Sequence, residues 1–243
     1  MLGPTHLLIN DGYCCICEQP TRFEATDAWL RDSYRCKKCG TIPRQRALVE
    51  VLNAVLPDWR RLSLHESSPS IPFLARKCQQ YSYSFFFEDV EPGGLHPGGS
   101  RCENLEQLTF ADTSFDLFIT QDVLEHVFNP DIALREIMRV LRPGGAHVFT
   151  TPRHKIPESN RRARLAPDGK VEFILEPQYH GNPIDAKGSL VTWDYGIDFD
   201  TLVARWSGYL TSCYVIRDRS RGIDGEFMDV WVTRKDRINA TDT

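Results

Sequence analysis

Apolar residues recur at helical spacing at Ala47, Leu48, Val51, Leu52, Val55 and Leu56, and the flanking Pro43 and Pro57 mark where that helix opens and closes. Short apolar runs then alternate with helical patterns. A strand is expected near Arg61 to His65, a helix from about Ile71 to Gln80, and an aromatic strand from Tyr81 to Phe87. Phe115 to Thr120 reads as a buried strand, and Asn129 with Pro130 as a cap followed by proline in the first helical turn. Ala133, Leu134, Ile137, Met138 and Leu141 form one apolar face, ended by Pro143, Gly144 and Gly145, and a strand follows at Ala146 to Thr151. Next come a helix around Phe199 to Trp206, a strand around Thr211 to Ile216, a turn with Gly222 and Gly225, and a strand from Phe227 to Thr233. Alternation of this kind implies crossover units on a parallel sheet, and the closing hairpin adds an antiparallel strand to it.

Composition narrows the class. The 243 residues are 41% hydrophobic and 26% charged, which suits one full domain with an appendage. The net charge of -4 argues against a surface built throughout to neutralise phosphates, while leaving room for a local basic patch. No window approaches the roughly 18 apolar residues of a membrane helix, and Met1 to Asn10 lacks a basic leader. The expectation is a cytoplasmic protein with no membrane partner.

Four of the eight cysteines fall into one pattern: Cys14 and Cys17 form one C-x-x-C, Cys36 and Cys39 another. Two such knuckles at this spacing converge on one tetrahedral zinc, and with four thiolates the ion has no open position, so it holds the fold and does no chemistry. Gly40, directly after the second pair, supplies the backbone freedom such a knuckle needs. Cys15 could stand in for Cys14, although only one residue would then separate it from Cys17. Arg31, Arg35, Lys37, Lys38, Arg44 and Arg46 surround the second pair against one acid, Asp32, and read either as a contact surface for an anionic partner or as a solvated face.

Leu108-Thr-Phe110, Ser114-Phe-Asp-Leu117, Asp122-Val-Leu-Glu-His126 and Arg139-Val-Leu-Arg-Pro-Gly-Gly145 resemble the middle and later motifs of class I S-adenosylmethionine-dependent methyltransferases of the type 11 kind. The resemblance implies an α/β, Rossmann-like seven-stranded sheet over 46–243 behind a zinc ribbon and linker at 1–45, with the cofactor over the C-terminal ends of the first strands. It places S-adenosylmethionine against Glu66, Ser67 and Ser68, Ser84 and Phe85, Asn104 and Leu105, and Gln121 and Asp122. The chain departs from the family at the first motif, where Glu66 fits the acid but Ser68 and Ser70 stand in place of glycines. Ser70 also reads as a helix cap with Pro72 behind it. In the second motif the expected acid is absent at Ser84-Phe85, with Glu88 and Asp89 following. Asn104 replaces an aspartate that accepts from the adenine amine, which an amide oxygen can also do.

The segment 152–193 is long for a connection, carries Pro157, Pro167, Pro177 and Pro183, and with its flank contains His154, Arg161, Arg162, Tyr179, His180, Asn182, Trp193, Asp194 and Tyr195. It reads as a substrate lid. His180 is the first candidate for a general base and His154 the second, while Glu125 and His126 read as packing and capping residues. The expected function is methyl transfer to a small-molecule or glycan-like acceptor. RNA methylation through the basic ribbon and a non-catalytic cofactor-binding scaffold are the alternatives.

Overall fold

The computed structural model describes residues 7–69, 73–181 and 187–236, and its contacts divide into two units. Ser70, Ile71, Pro72, Asn182 and Pro183, all named above, lie outside the described residues. One unit comprises the chain up to Trp59 together with Cys213–Val230; the other comprises Arg60–Ser212 together with the chain from Trp231 onward.

In the first unit, β1 (Leu8–Cys14) pairs antiparallel with β2 (Gln19–Ala25), and β2 with the two-residue β3 (Arg35–Cys36). Helix α1 (Pro43–Val55) starts at Pro43, as the sequence predicts, and Gln45 Oε1 accepts from the Ile42 amide at 3.1 Å, which satisfies a donor at the helix start that has no helical partner. The Cys213–Val230 segment joins this unit through Asn10, which donates to the Arg219 carbonyl at 2.7 Å, and through an Arg221–Glu50 ion pair at 3.1 Å.

The second unit is a seven-stranded sheet. Its strands are β4 (Ser63–Ser67), β5 (Gln80–Phe85), β6 (Arg101–Cys102), β7 (Phe115–Gln121), β8 (Leu141–Thr150), β9 (Thr211–Tyr214) and β10 (Val230–Arg234), in the spatial order β9-β10-β8-β7-β4-β5-β6. The pairs β4·β5, β4·β7, β5·β6 and β7·β8 are parallel and β10·β8 is antiparallel, the mixed sheet expected of an antiparallel strand added to a crossover sheet. Leu117, Phe118, Ile119, Ala146, Val148 and Phe149 of the central strands are fully buried. Helix α2 (Pro130–Val140) packs its Ala133, Ile137 and Met138 with Leu105, Leu108 and Phe118, and α3 (Phe199–Ser207) ends at Gly208, whose φ of 79° suits glycine.

Three local expectations change. Among the described residues the helix expected from about Ile71 reduces to one tight turn, Leu74–Arg76, because the crossover from Ser67 to Gln80 must fit within residues 68–79. Strand β8 begins at Leu141 instead of Ala146, with a register shift opposite Phe115 to Leu117 that absorbs the Pro143-Gly-Gly145 bend. Gly145 is obligatory there, since a Cβ would meet the Asp116 carbonyl oxygen at 2.9 Å. Asn129 precedes α2 without a side-chain cap bond; its backbone amide and its Nδ2 donate instead to Glu106, at 2.9 and 2.7 Å. No helix among the described residues is long and apolar enough to cross a membrane.

Candidate active site and metal centre

The two C-x-x-C turns are built alike. The Glu18 amide donates to the Cys14 carbonyl and the Gly40 amide to the Cys36 carbonyl, both at 2.8 Å, and both donors take left-handed backbone, with φ of 54° and 70°. Gly40 adopts this conformation without penalty and Glu18 against its preference, so the C-x-x-C spacing marks both turns while a glycine signal marks the second alone. The four sulfurs lie within 4.8 Å of one another, with Cys14–Cys39 at 3.7 Å and Cys17–Cys36 at 3.8 Å. Four sulfurs about 2.3 Å from a tetrahedral zinc stand about 3.8 Å apart, so the donor set fits that ion. As bare thiols two of them resist ionising, since the contact with Cys14 pushes Cys39 up to about 12 and burial pushes Cys17 up to about 11, while the hydrogen bond with Cys39 holds Cys14 below its ordinary value. Cys15 is turned away, its thiol on the Arg46 carbonyl at 3.5 Å, which leaves Cys14 as the ligand.

Arg46 is 0% exposed, so it belongs to the interior and not to a contact surface. Its guanidinium donates to the carbonyls of Gly222, Tyr34 and Thr41 and lies 4.8 Å from the centre of the Phe23 ring. Arg31 is buried as well. Of the exposed members of the basic cluster, Lys37 pairs with Glu24 at 3.0 Å and Lys38 donates to Gln19 at 2.8 Å. The cation surface is smaller than the charge run suggests.

In the sheet, register sets Glu66 and Ser67 beside Tyr83 and Ser84 on one side and Ile119 and Thr120 on the other, so the ends of β4, β5 and β7 form one edge. Glu66 is 0% exposed and accepts from Tyr81 Oη at 2.8 Å and Gln121 Nε2 at 2.7 Å. Burial pushes its carboxyl up to about 7, against the opposing pull of those two donors. Gln121 Oε1 is buried without a hydrogen-bond partner, an acceptor held ready at this edge. Ser68 and Asp122, directly beyond β4 and β7, have φ of 54° and 53°, and Thr150 Oγ1 donates to Asp122 Oδ1 at 2.9 Å. Residues held in such backbone cluster at ligand sites. Ser68 therefore holds, at some cost, a left-handed backbone that a glycine would adopt freely. Ser68→Gly is expected to stabilise the domain by up to about 1 kcal/mol, relief of a left-handed residue outweighing the unfolded-state entropy of glycine. A lowered thermal midpoint would show instead that the serine side chain supports the loop.

The other sequence-derived positions are placed less uniformly. Ser84 points into the sheet, its hydroxyl 3.0 Å from His65 Nε2, while Phe85 packs between Tyr83 and Phe87. Asn104 Oδ1 accepts from the Glu106 amide at 2.9 Å, which leaves its second lone pair for a ligand. Leu105 is buried in the α2 cluster.

The end of the insertion is bound to the turn after β7. Thr192 gives its amide to Glu125 O at 2.8 Å and its hydroxyl to Val127 O at 2.7 Å, and Tyr195 Oη donates to Leu124 O at 2.8 Å. His180 meets His126, with ring centres 5.2 Å apart. His154 goes elsewhere, with Nε2 3.9 Å from Asp194 Oδ1. The sequence did not single out Tyr81, whose hydroxyl holds Glu66, because one tyrosine in an aromatic strand carries no signal of its own.

Residues 88–149 match the profile of a family described as a methyltransferase domain. The sheet order, with one antiparallel strand beside β8, is typical of that fold. The chain carries a class I S-adenosylmethionine-dependent methyltransferase domain. The domain is 28% identical over 116 residues to a ubiquinone biosynthesis O-methyltransferase of Agrobacterium fabrum, a match covering 44% of this chain and 46% of the relative. It is 43% identical over 74 residues to a dimethylglycine N-methyltransferase of Parasynechococcus marenigrum, covering 30% and 22% respectively. The chain thus spans about half the length or less of these curated relatives. Among solved structures, the [4+2]-cyclase SpnF superposes with a TM-score of 0.52 at 13% identity, over 97% of this chain and 89% of the cyclase. A methyltransferase structure from the Haloferax volcanii complex with the Trm112 activator gives 0.50 at 13%, over 80% and 91%.

Proposed function

We propose that the chain transfers the methyl group of S-adenosylmethionine to a small-molecule acceptor, glycan-like compounds included, enclosed by the insertion at 152–193. The observation that carries this reading is the edge formed by Glu66, Ser68, Gln121 and Asp122, where a buried carboxyl, an orphaned amide oxygen and two left-handed residues meet. When bound, the cofactor supplies an electrophilic methyl on a sulfonium. Glu66 and Asn104 would hold its polar parts and the Gln121–Asp122 turn its amino-acid end. The residues of the insertion would exclude water, so that proximity and desolvation provide most of the acceleration. Of the two candidate bases His180 is the better placed, since it faces His126 in the turn after β7, while His154 lies beside Asp194.

The names of the relatives support an acceptor of low molecular weight, since one acts in ubiquinone biosynthesis and another is named for dimethylglycine. RNA is the less favoured acceptor, because Arg46 and Arg31 are removed from the basic surface by burial. The scaffold reading loses ground where Ser68 retains the glycine-like backbone.

Calorimetry should detect both S-adenosylmethionine and S-adenosylhomocysteine, and Asn104→Ala should weaken them about fivefold, the worth of about 1 kcal/mol for one hydrogen bond. Replacing Arg164–Glu172 by a short turn should abolish transfer to small-molecule extracts and spare cofactor binding. No binding at millimolar cofactor, or transfer to labelled RNA that survives the shortening, would overturn the reading.

A further inference from the structure

Outside the ribbon, one more set of metal-ligating side chains converges among the described residues. The ligand atoms of Glu125, His126 and His180 lie within 4.8 Å of one another. Glu125 and His126 occupy the turn after β7, and His180 lies in the two-residue strand Tyr179–His180 that pairs with Ser189–Leu190.

Neighbouring bonds aim the first two of these groups. Glu125 is 1% exposed and its Oε2 accepts from Thr151 Oγ1 at 2.8 Å, which leaves Oε1 directed at His126 Nε2, 3.9 Å away. His126 Nδ1 is 2.8 Å from the Leu190 carbonyl, so Nδ1 carries the proton and Nε2 presents a lone pair toward the cluster. An imidazole whose far nitrogen donates to a backbone carbonyl is the arrangement that orients histidine on a metal. The ring of His180 stands at 89° to that of His126. The 3.9 Å gap is too long for a hydrogen bond. It is near the separation of about 3–3.5 Å between donors that each sit about 2.0–2.2 Å from one ion.

We propose that Glu125, His126 and His180 form a second metal site, which takes one zinc-class divalent ion and leaves coordination positions open to an oxygen of the methyl acceptor. The ion follows from the donors: two imidazoles and a carboxylate are the three-ligand set of reactive zinc, in contrast to the closed four-thiolate ribbon. The acceptor part rests on the function proposed above, and the place suits it, because Glu125 and His126 lie in the turn that directly follows Gln121 and Asp122 at the cofactor edge. An acceptor hydroxyl binding such an ion would give up its proton to bulk water more readily, as zinc-bound water does, before the site is closed to solvent and the methyl is transferred. In this site His180 would act as a ligand in place of the base role given to it above.

The test is titration of zinc-loaded protein with Co²⁺, read by its visible absorption, with zinc content measured alongside so that exchange in the ribbon is seen. One further equivalent should bind. His180→Ala and Glu125→Gln should each weaken it at least about tenfold, since even outer-shell losses cost roughly 10–100-fold. His180→Ala should leave calorimetric S-adenosylhomocysteine affinity unchanged, which shows that the domain is still folded. His180 lies in a short surface pair, so its variant keeps the test open if the buried Glu125 variant misfolds. Absence of a second equivalent at millimolar Co²⁺, or equal binding by wild type and His180→Ala, overturns the site. A second equivalent that the variants lose supports the site even if no extract is methylated, and in that case only the acceptor reading falls.

Discussion

Replacing Cys36 and Cys39 together by Ser is expected to remove the ribbon's zinc and to unfold the unit that holds it, the largest effect anticipated for any substitution in this chain. A structural zinc contributes about 10–16 kcal/mol of apparent binding free energy, and where the site does not exist in the unfolded chain this is folding free energy. Three short strands have little else to stabilise them. β1 alternates half-buried and exposed positions, and the fully buried set near the cluster is small: Cys14, Phe23, Ala25, Tyr34 and Cys36. Hydrogen exchange of the variant should show lost protection in β1, β2 and α1 before the seven-stranded sheet, and metal analysis should show one equivalent fewer. A double variant that keeps both its zinc and its protection would refute the four-cysteine assignment. The same experiment asks whether the Cys213–Val230 segment, packed on Arg46 and Glu50, loosens with the ribbon.

The second large effect concerns Glu66. Its carboxyl is raised from an ordinary 4.5 to about 7 because burial penalises the charge. A folded-state value above the unfolded one means that the folded protein holds the proton more tightly. The stabilising contribution is full below about 4.5 and is lost as pH rises through about 7, a swing of about 3 kcal/mol between pH 4 and pH 8. Glu66→Gln removes the titration. Tyr81 can still donate to the new amide oxygen, and Gln121 can turn its unpartnered Oε1 to accept from the new amide nitrogen. The variant should therefore exceed wild type in urea stability at pH 8 by a margin that vanishes toward pH 4, while binding the cofactor less well. Parallel pH profiles for the two proteins would mean that Glu66 is already ionised in the fold, held by its two donors. A group that costs stability at neutral pH and binds a ligand is the usual exchange at a functional site.

Much of this was legible before any coordinates. The C-x-x-C spacing picked out the four cysteines whose sulfurs converge, since two residues between cysteines is the span of one knuckle whatever surrounds it. Pro43 and Pro130 announced the starts of α1 and α2, because the missing amide costs nothing in a first turn. The run from Leu108 to Gly145 was readable for a similar reason: its side chains hold one another locally. Arg139 reaches the Leu108 and Phe110 carbonyls and Glu136 the Leu108 amide, so the spacing of the motif is the spacing of those bonds.

What escaped the sequence depends on distant partners. The charge of Arg46 gave no sign that it would be interior, because its acceptors at Gly222, Tyr34 and Thr41 come from three places in the chain. Among the described residues between β4 and β5 there is one tight turn, Leu74–Arg76, where the sequence reads a longer helix, and the position of the next strand and not local propensity decides this. Glu125 and His126 read as packing groups until the hydrogen bonds of Leu190, Thr192 and Tyr195 drew the insertion onto their turn and set His180 against them. Local spacing can encode a knuckle, a cap or a motif held by its own neighbours. The meeting of His180 with Glu125 and His126, and the burial that raises Glu66, are properties of packing, and only the tertiary structure could decide them.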